Sequence, residues 1–285
     1  MFNDATLAWA NSIQIIDRSE ELTEADPLYA FALDELLCKQ AHVSGTSFCH
    51  LWRHPNAFIL GQRDSRLPGV TEALQWLETQ GVVPIVRNSG GAAVPLDLGT
   101  VNISLIFPKA TSSNVHFHQD FEKMYELIQE ALAFTGLSVD KGEIHGAFCP
   151  GDYDLSINGR KFCGIAQRRQ LHAYSVQAFV IASGSGAERT QFVRSFYNQA
   201  AIDTPLDHYP QVTNESTASL EELTKLGPDA ARIFIDAIKH TLTEAQTIST
   251  SGWSNDKHVP SPMSLPSPET IREVANKLRK RYSIG

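Results

Sequence analysis

The sequence predicts an α+β fold, on three observations. β-type runs are grouped early in the chain and helical patterns late, without the regular βαβ alternation of a parallel-sheet protein. Hydrophobic residues make up 42% and charged residues 20% of the 285 positions, which is globular composition and excludes disordered and fibrous classes. No internal repeat divides the chain, and its length allows one large domain or two small ones.

Asp26-Pro27 reads as an N-cap followed by proline at the first helical position, opening a helix through LYAFALDELLCKQA in which Cys38 is a core thiol. Four β-type runs follow: SFCHLWR, which holds Cys49 as a second core thiol, then AFILG, VVPIVR at 82–87 and VNISLIF at 101–107. Gly, Pro and Asn signals separate them. Phe121, Met124, Tyr125, Ile128, Ala131 and Leu132 recur at helical spacing up to Gly136, an amphipathic helix with a core-facing stripe. Further helices are read at AERTQFVRSFYNQ, at SLEELTKL with Ser219 and Glu222 spaced as a capping box, and at DAARIFIDAIKHTLTEA. The Ser/Pro-rich stretch 250–268 is a connector, and a basic helix begins after Ser267-Pro268. The chain thus divides into a main domain, 1–249, and a connector with a C-terminal basic helix, 250–285.

Twenty-four Lys and Arg against 32 Asp and Glu give a net charge of −8, which argues against a nucleic-acid partner. The first 40 residues hold eight acidic and two basic residues, −6 of that total. With no basic residue before Arg18 and no long apolar run, neither a signal peptide nor a membrane span is expected, and the protein is placed in the cytoplasm. Four cysteines without CxxC spacing point to free thiols in a reducing compartment. His116 and His118 alternate as a metal pair does, but no third ligand lies at a helpful spacing, so no metal is expected.

Two segments carry chemistry. Arg87-Asn-Ser-Gly-Gly-Ala-Ala-Val-Pro-Leu-Asp-Leu-Gly99 comes directly after a strand; its paired glycines suit either a tight turn or a backbone that approaches a ligand. It is neither a Walker loop nor a GxGxxG fingerprint. In the second, Asn158-Gly159 between two β-runs predicts a hairpin with a two-residue turn. That register sets Ile157 opposite Arg160, Ser156 opposite Lys161, Leu155 opposite Phe162 and Asp154 opposite Cys163. Tyr153, Leu155, Ile157 and Phe162 then share a core face, and Asp154, Ser156, Lys161 and Cys163 share a polar one. A lysine near a thiol favours the nucleophilic thiolate and can carry a proton. Register favours Cys163 as that thiol, whereas Cys149 must fold back through Pro150-Gly151, and spacing leaves both open.

The pair RNSGGAAVPLDLG and GDYDLSINGRKFCGIAQRR, with Phe148-Cys149-Pro150-Gly151 ahead of the second, resembles the biotin/lipoate protein ligase catalytic superfamily. Within it, the cysteine resembles that of the branch that moves octanoyl groups between protein amides. The motifs span about residues 85–180. The resemblance implies a mixed, largely antiparallel sheet flanked by helices. It implies that Cys149 takes the octanoyl group as a thioester, and that Lys161 favours its thiolate and handles the proton. Arg87, Ser89, Gly90 and Gly91 would wall the acyl pocket, Gly164 and Ala166 would keep side chains out of it, and Cys163 has no assigned role. The donor implied is the octanoylated glycine-cleavage H protein, and the acceptor a lysine on the lipoyl domains of 2-oxoacid dehydrogenase complexes. No cofactor is implied. Ligases of the superfamily carry Arg-Arg-x-Ser-Gly-Gly-Gly-x-Val-x-His-Asp; Val86, Ala92 and Leu96 depart from it here, which counts against activation by ATP. An octanoyl transferase fed by acyl carrier protein, an ATP-dependent lipoate ligase and a non-catalytic module that binds lipoyl domains stay open as alternatives. Residues 150–175 hold Arg160, Lys161, Arg168 and Arg169 against Asp152 and Asp154, a net of +2, and Arg168 and Arg169 are the expected docking cations for an acidic protein partner.

Overall fold

The computed structural model describes residues 7–109, 117–250 and 264–282. In chain order its strands and helices are β1 Gln14–Arg18, α1 Leu28–Ser44, β2 Phe48–Trp52, β3 Asn56–Leu60, α2 Val70–Thr79, β4 Val83–Val86, β5 Val94–Asp97, β6 Thr100–Pro108 and α3 Phe117–Ala131. They continue with β7 Asp140–Lys141, β8 Leu155–Ile157, β9 Arg160–Arg169, β10 Ala173–Ile181, α4 Gly186–Ala200, α5 Leu220–Leu223, α6 Ala230–Thr250 and α7 Pro268–Arg281. Seven strands form one sheet in the order β1-β2-β6-β10-β9-β8-β7, and three form a smaller sheet, β4-β3-β5. Only β1–β2 and β3–β4 pair in parallel; the other pairs are antiparallel. The fold is therefore the α+β, mixed and largely antiparallel arrangement that the sequence implies.

Both faces of the large sheet are covered. Strand alternation sends Val101, Ile103 and Leu105 of β6 and Val176, Ala178 and Val180 of β10 into a core closed by α3 and α6. The opposite face packs Phe48, Ile106 and Phe179 against α1, α2, α4 and the small sheet. Asp26 caps α1 as read, its Oδ1 accepting from the Leu28 amide at 3.1 Å, and the capping box at Ser219 and Glu222 is formed. β10, the central strand of the large sheet, escapes the sequence reading, as do β1, β5 and β7. The C-terminal helix is packed into the body: Ile271, Ala275 and Leu278 of α7 join the core beside α1. Arg272 pairs with Glu24 at 3.0 Å and Arg279 with Asp26 at 2.6 Å. Most of the 250–268 connector, and His116, lie outside the described residues.

The hairpin turn at Asn158-Gly159 has both residues at positive φ, 52° and 74°, as a type I′ turn requires. Ile157 faces Arg160 and Ser156 faces Lys161, but Leu155 then faces Cys163 instead of Phe162. On its other edge β9 meets a third segment: the Lys161 amide donates to Ser216 O and its carbonyl accepts from the Ala218 amide, both at 2.9 Å. One extra residue on β9 reverses the parity of the residues beyond it. Lys161 keeps the site face, while Cys163 turns into the apolar core with Leu155 and Ile157. Tyr153, read as a core residue, is half-buried and stacks on Phe121 at 4.7 Å between ring centres.

Candidate active site

The glycine loop leaves β4 at Arg87 and crosses to Cys149. Gly91 takes φ +100°, and a Cβ there would lie 2.2 Å from Arg87 Nη2 and 3.0 Å from Cys149 Sγ. Only glycine lets the loop come this close. Beneath it, a Cβ at Gly61 would lie 2.0 Å from the Gly91 carbonyl oxygen. Asp64 and Tyr197 fix this contact: Asp64 accepts from the Gly61 amide at 2.8 Å and from Tyr197 Oη at 2.9 Å, and Tyr197 accepts from the Ala93 amide at 3.2 Å. Burial pushes the Tyr197 phenol well above its ordinary range, helped by the neighbouring Asp64 charge, so it remains a neutral donor.

Cys149 is one of few non-glycine residues with positive φ, at 49°, a conformation that persists only where its surroundings impose it. Two donors reach its sulfur. Arg87 Nη2 is 3.2 Å and the Ala92 amide 3.3 Å from Sγ. Lys161 arrives from β9 with no exposed surface, and its Nζ donates to Phe148 O at 2.9 Å, Cys149 O at 2.6 Å and Asp154 Oδ1 at 2.7 Å. Three acceptors use all three of its N–H donors. The lysine therefore grips the backbone that carries the thiol and makes no hydrogen bond to the sulfur itself. Burial pushes the Asp154 carboxyl up to about 6, against the downward pull of Lys161. Cys38, Cys49 and Cys163 are buried thiols whose titration burial pushes far up.

Beside Cys149 opens a cavity of about 460 Å³, lined by Phe31, Ile59, Val94, Leu96 and Phe179 among other side chains. Such a volume suits a small, mainly apolar ligand. Arg87, Gly90, Gly91, Gly164 and Ala166 line it, whereas Ser89 is buried and is not among its lining residues. A Cβ at Gly164 would strike the Phe179 ring at 2.6 Å and approach Lys161 Nζ at 3.3 Å. Leu96, where the ligase pattern has histidine, adds apolar wall.

Arg168 and Arg169 sit on β9 beyond the cavity and are engaged inside the protein. Arg168 pairs with Glu35 and donates to Asn88 O at 2.7 Å; Arg169 pairs with Asp120 at 2.6 Å and lies over the Tyr174 ring. Glu35 also accepts from Asn88 Nδ2 at 2.6 Å, so this cluster braces the start of the glycine loop. Asp64, Tyr197 and Glu35 carry no motif signal, because chain separations of 50 residues and more hide the Asp64–Tyr197 and Glu35–Asn88 contacts. Asp154 was visible: its parity with Lys161 was the signal. His118, whose Nδ1 is 3.3 Å from Tyr153 Oη, stands at the cavity's edge. Among the described residues no group of three or more His, Cys, Asp or Glu side chains is placed to hold a metal, and no helix is long and apolar enough to cross a membrane.

A buried cysteine braced by a glycine loop and a lysine, beside an apolar cavity on this sheet, matches one class of protein. The model of the lipoyl protein ligase A/B catalytic domain matches residues 26–246, and the chain belongs to that family. Within it the curated relatives are acyltransferases. Octanoyl-GcvH:protein N-octanoyltransferase of Macrococcus caseolyticus is 37% identical over 238 residues, 83% of this chain and 86% of that protein. The enzyme of the same name from Geobacillus kaustophilus is 41% identical, over 74% of this chain and 75% of its own. The fold is shared with a lipoate-protein ligase A bound with ATP, at TM-score 0.64 and 17% identity over 96% of each chain. It is also shared with a bi-partite lipoate protein ligase of Thermoplasma acidophilum, at TM-score 0.61 and 18% identity, covering 96% of this chain and 93% of that one.

Proposed function

We propose that the protein transfers an octanoyl group from octanoyl-lysine on the glycine-cleavage H protein to the lipoyl-domain lysine of 2-oxoacid dehydrogenase acyltransferase subunits, through a thioester on Cys149 and without ATP. The observation that carries this reading is the placement of Cys149, its sulfur held by two donors at the mouth of an apolar cavity, together with the names of the relatives. An ATP-dependent ligase needs no thiol at this position, and a non-catalytic module needs no backbone strained to present one.

The chemistry balances without a co-reactant. The thiolate of Cys149 attacks the donor amide carbonyl. As the adduct collapses, the C–N bond breaks, and the departing lysine amine takes a proton from the Lys161 ammonium. The acceptor amine then attacks the thioester, neutral Lys161 takes its proton, and the thiolate leaves. Pro150 has no N–H, so the amide after the nucleophile supplies no oxyanion donor. Lys161 must release one of its three acceptors to reach the amine.

The test is incubation with octanoylated H protein, then with an apo lipoyl domain, without ATP. A hydroxylamine-labile octanoyl adduct, absent in Cys149→Ala and retained in Cys163→Ala, supports the reading; persistence of the adduct in Cys149→Ala overturns it. Supplying octanoyl-acyl carrier protein at equal concentration decides the donor, and a requirement for ATP and Mg²⁺ would make the protein a ligase.

A further inference from the structure

We infer that Arg87 is a catalytic residue beside Lys161: its guanidinium, in contact with the Cys149 sulfur, carries the charge of the thiolate. This deepens the octanoyl-transfer reading by naming which cation serves the sulfur, and rests on it only for the acyl chemistry that the thiolate goes on to perform.

Three observations carry the assignment. The first is contact: Arg87 Nη2 donates to Cys149 Sγ at 3.2 Å, with the Ala92 amide alongside at 3.3 Å, while all three Lys161 donors end on oxygen. The second is the cost of an unpaired charge. Arg87 is 6% exposed, and among the described residues no carboxylate stands within ion-pair distance of it. A guanidinium stays charged at any working pH, so burying it requires an anion nearby. The Asp64 carboxylate feels its field but makes no contact with it, its oxygens accepting from Gly61 and Tyr197. Of the groups Arg87 touches, only the cysteine sulfur can become that anion. The third is construction: the φ +100° glycine at position 91 exists where any Cβ would strike Arg87 Nη2, so the loop is shaped around this guanidinium. Nη2 also donates to Ala92 O at 2.6 Å, which aims it.

The division of labour comes from the proton balance. Lys161 is neutral only while the sulfur is bound in the thioester and is ammonium again as the thiolate leaves, so its proton transfer and the contact of Arg87 with the sulfur do not compete. With Arg87 on the sulfur, Lys161 gives and regains a proton while the leaving thiolate of the second step still meets a fixed positive charge.

The experiment reads the sulfur directly and needs no acyl donor, so it stands apart from whether octanoyl transfer is the activity. Alkylation of Cys149 by iodoacetamide is timed at neutral pH in a background where the other three cysteines are serine or alanine. Arg87→Gln is expected to slow it about tenfold to a hundredfold, the worth of a hydrogen bond to a charged group. Arg87→Lys is expected to recover most of the rate, and Lys161→Gln to slow it less than Arg87→Gln does. An Arg87→Gln rate within twofold of the parent, or Arg87→Lys as slow as Arg87→Gln, overturns the assignment. Should Arg87→Gln fail to fold, the far-ultraviolet thiolate absorbance of the parent is measured as a difference against Cys149→Ser. Its persistence at neutral pH in Lys161→Gln supports Arg87 as a counter-ion of the sulfur, and its loss there overturns the assignment.

Discussion

Asp154 shows how a single buried charge acts in two directions. Its carboxyl is raised to about 6 by burial, with Lys161 pulling it back. Because the folded value lies above the ordinary one, the native state binds this proton more tightly than the unfolded chain does. The contribution of Asp154 to stability is therefore full below the ordinary carboxylate range and is lost as pH rises through about 6. Activity runs the other way, since a protonated Asp154 no longer holds the Lys161 ammonium in place. Acyl transfer is expected to fall as pH drops through about 6, and Asp154→Asn to remove this acid limb while lowering the plateau. Rate profiles between about pH 5 and 8 check this; an unchanged acid limb in Asp154→Asn would refute it. The four cysteines give a second test at this scale. Cys38, Cys49 and Cys163 are inert through burial, so a thiol reagent is expected to modify one cysteine in the native protein and four after denaturation, with mass mapping to Cys149.

At the scale of elements, the glycine loop separates two residues that sequence treats alike. A Cβ on Gly90 meets nothing within 4 Å, whereas one on Gly91 meets both Arg87 and Cys149. Gly90→Ala is expected to change stability by no more than about 0.5 kcal/mol and to slow thioester formation far less than Gly91→Ala does. Gly91→Ala should cost on the order of a hundredfold in thioester formation, as expected of a reacting group displaced by about an ångström. Equal rates for the two variants would contradict this. The loop and the hairpin were legible because their turn chemistry is local: Asn158-Gly159 fixes its own conformation, and Asp26 and Ser219 cap their own helices. The hidden features are non-local. The shifted register turns Cys163 away, and Ser216 and Ala218, distant in sequence, hold the backbone of Lys161; no spacing within the hairpin encodes either. β10 was missed because Ser175 and Gln177 interrupt its apolar run; they face the side of the sheet that holds the cavity. The resemblance points to Cys149 where hairpin register, taken alone, favours Cys163.

Across the whole molecule, charge is arranged more by internal pairing than by surface patches. The acidic N-terminal stretch and the basic C-terminal helix meet through Glu24–Arg272 and Asp26–Arg279, at surface positions where each pair contributes no more than about 1 kcal/mol. Burial anchors α7 more strongly, so Ile271→Ala is expected to cost about 2–5 kcal/mol; a denaturant midpoint equal to the parent's would show that α7 does not belong to the cooperative core.

The same pairing bears on how a protein partner is recognised. Arg168 and Arg169 contribute to a local excess of positive charge in sequence, yet each is neutralised in place, by Glu35 and Asp120. If they dock an acidic carrier, Arg168→Glu or Arg169→Glu should raise KM for the octanoylated protein, weaken its salt dependence and leave reaction with a small octanoyl thioester unaltered. If their work is internal, Arg168→Glu sets a new carboxylate against Glu35 and removes the donor on Asn88 O, and the glycine loop loses its brace. Transfer from protein and small donors then falls together, and stability with it. We expect the second pattern for Arg168, whose contacts end on the loop that aims Arg87, and the ratio of the two donors' kcat/KM in Arg168→Glu measures which pattern holds. A ratio that falls tenfold or more against the protein donor would return Arg168 to the docking surface.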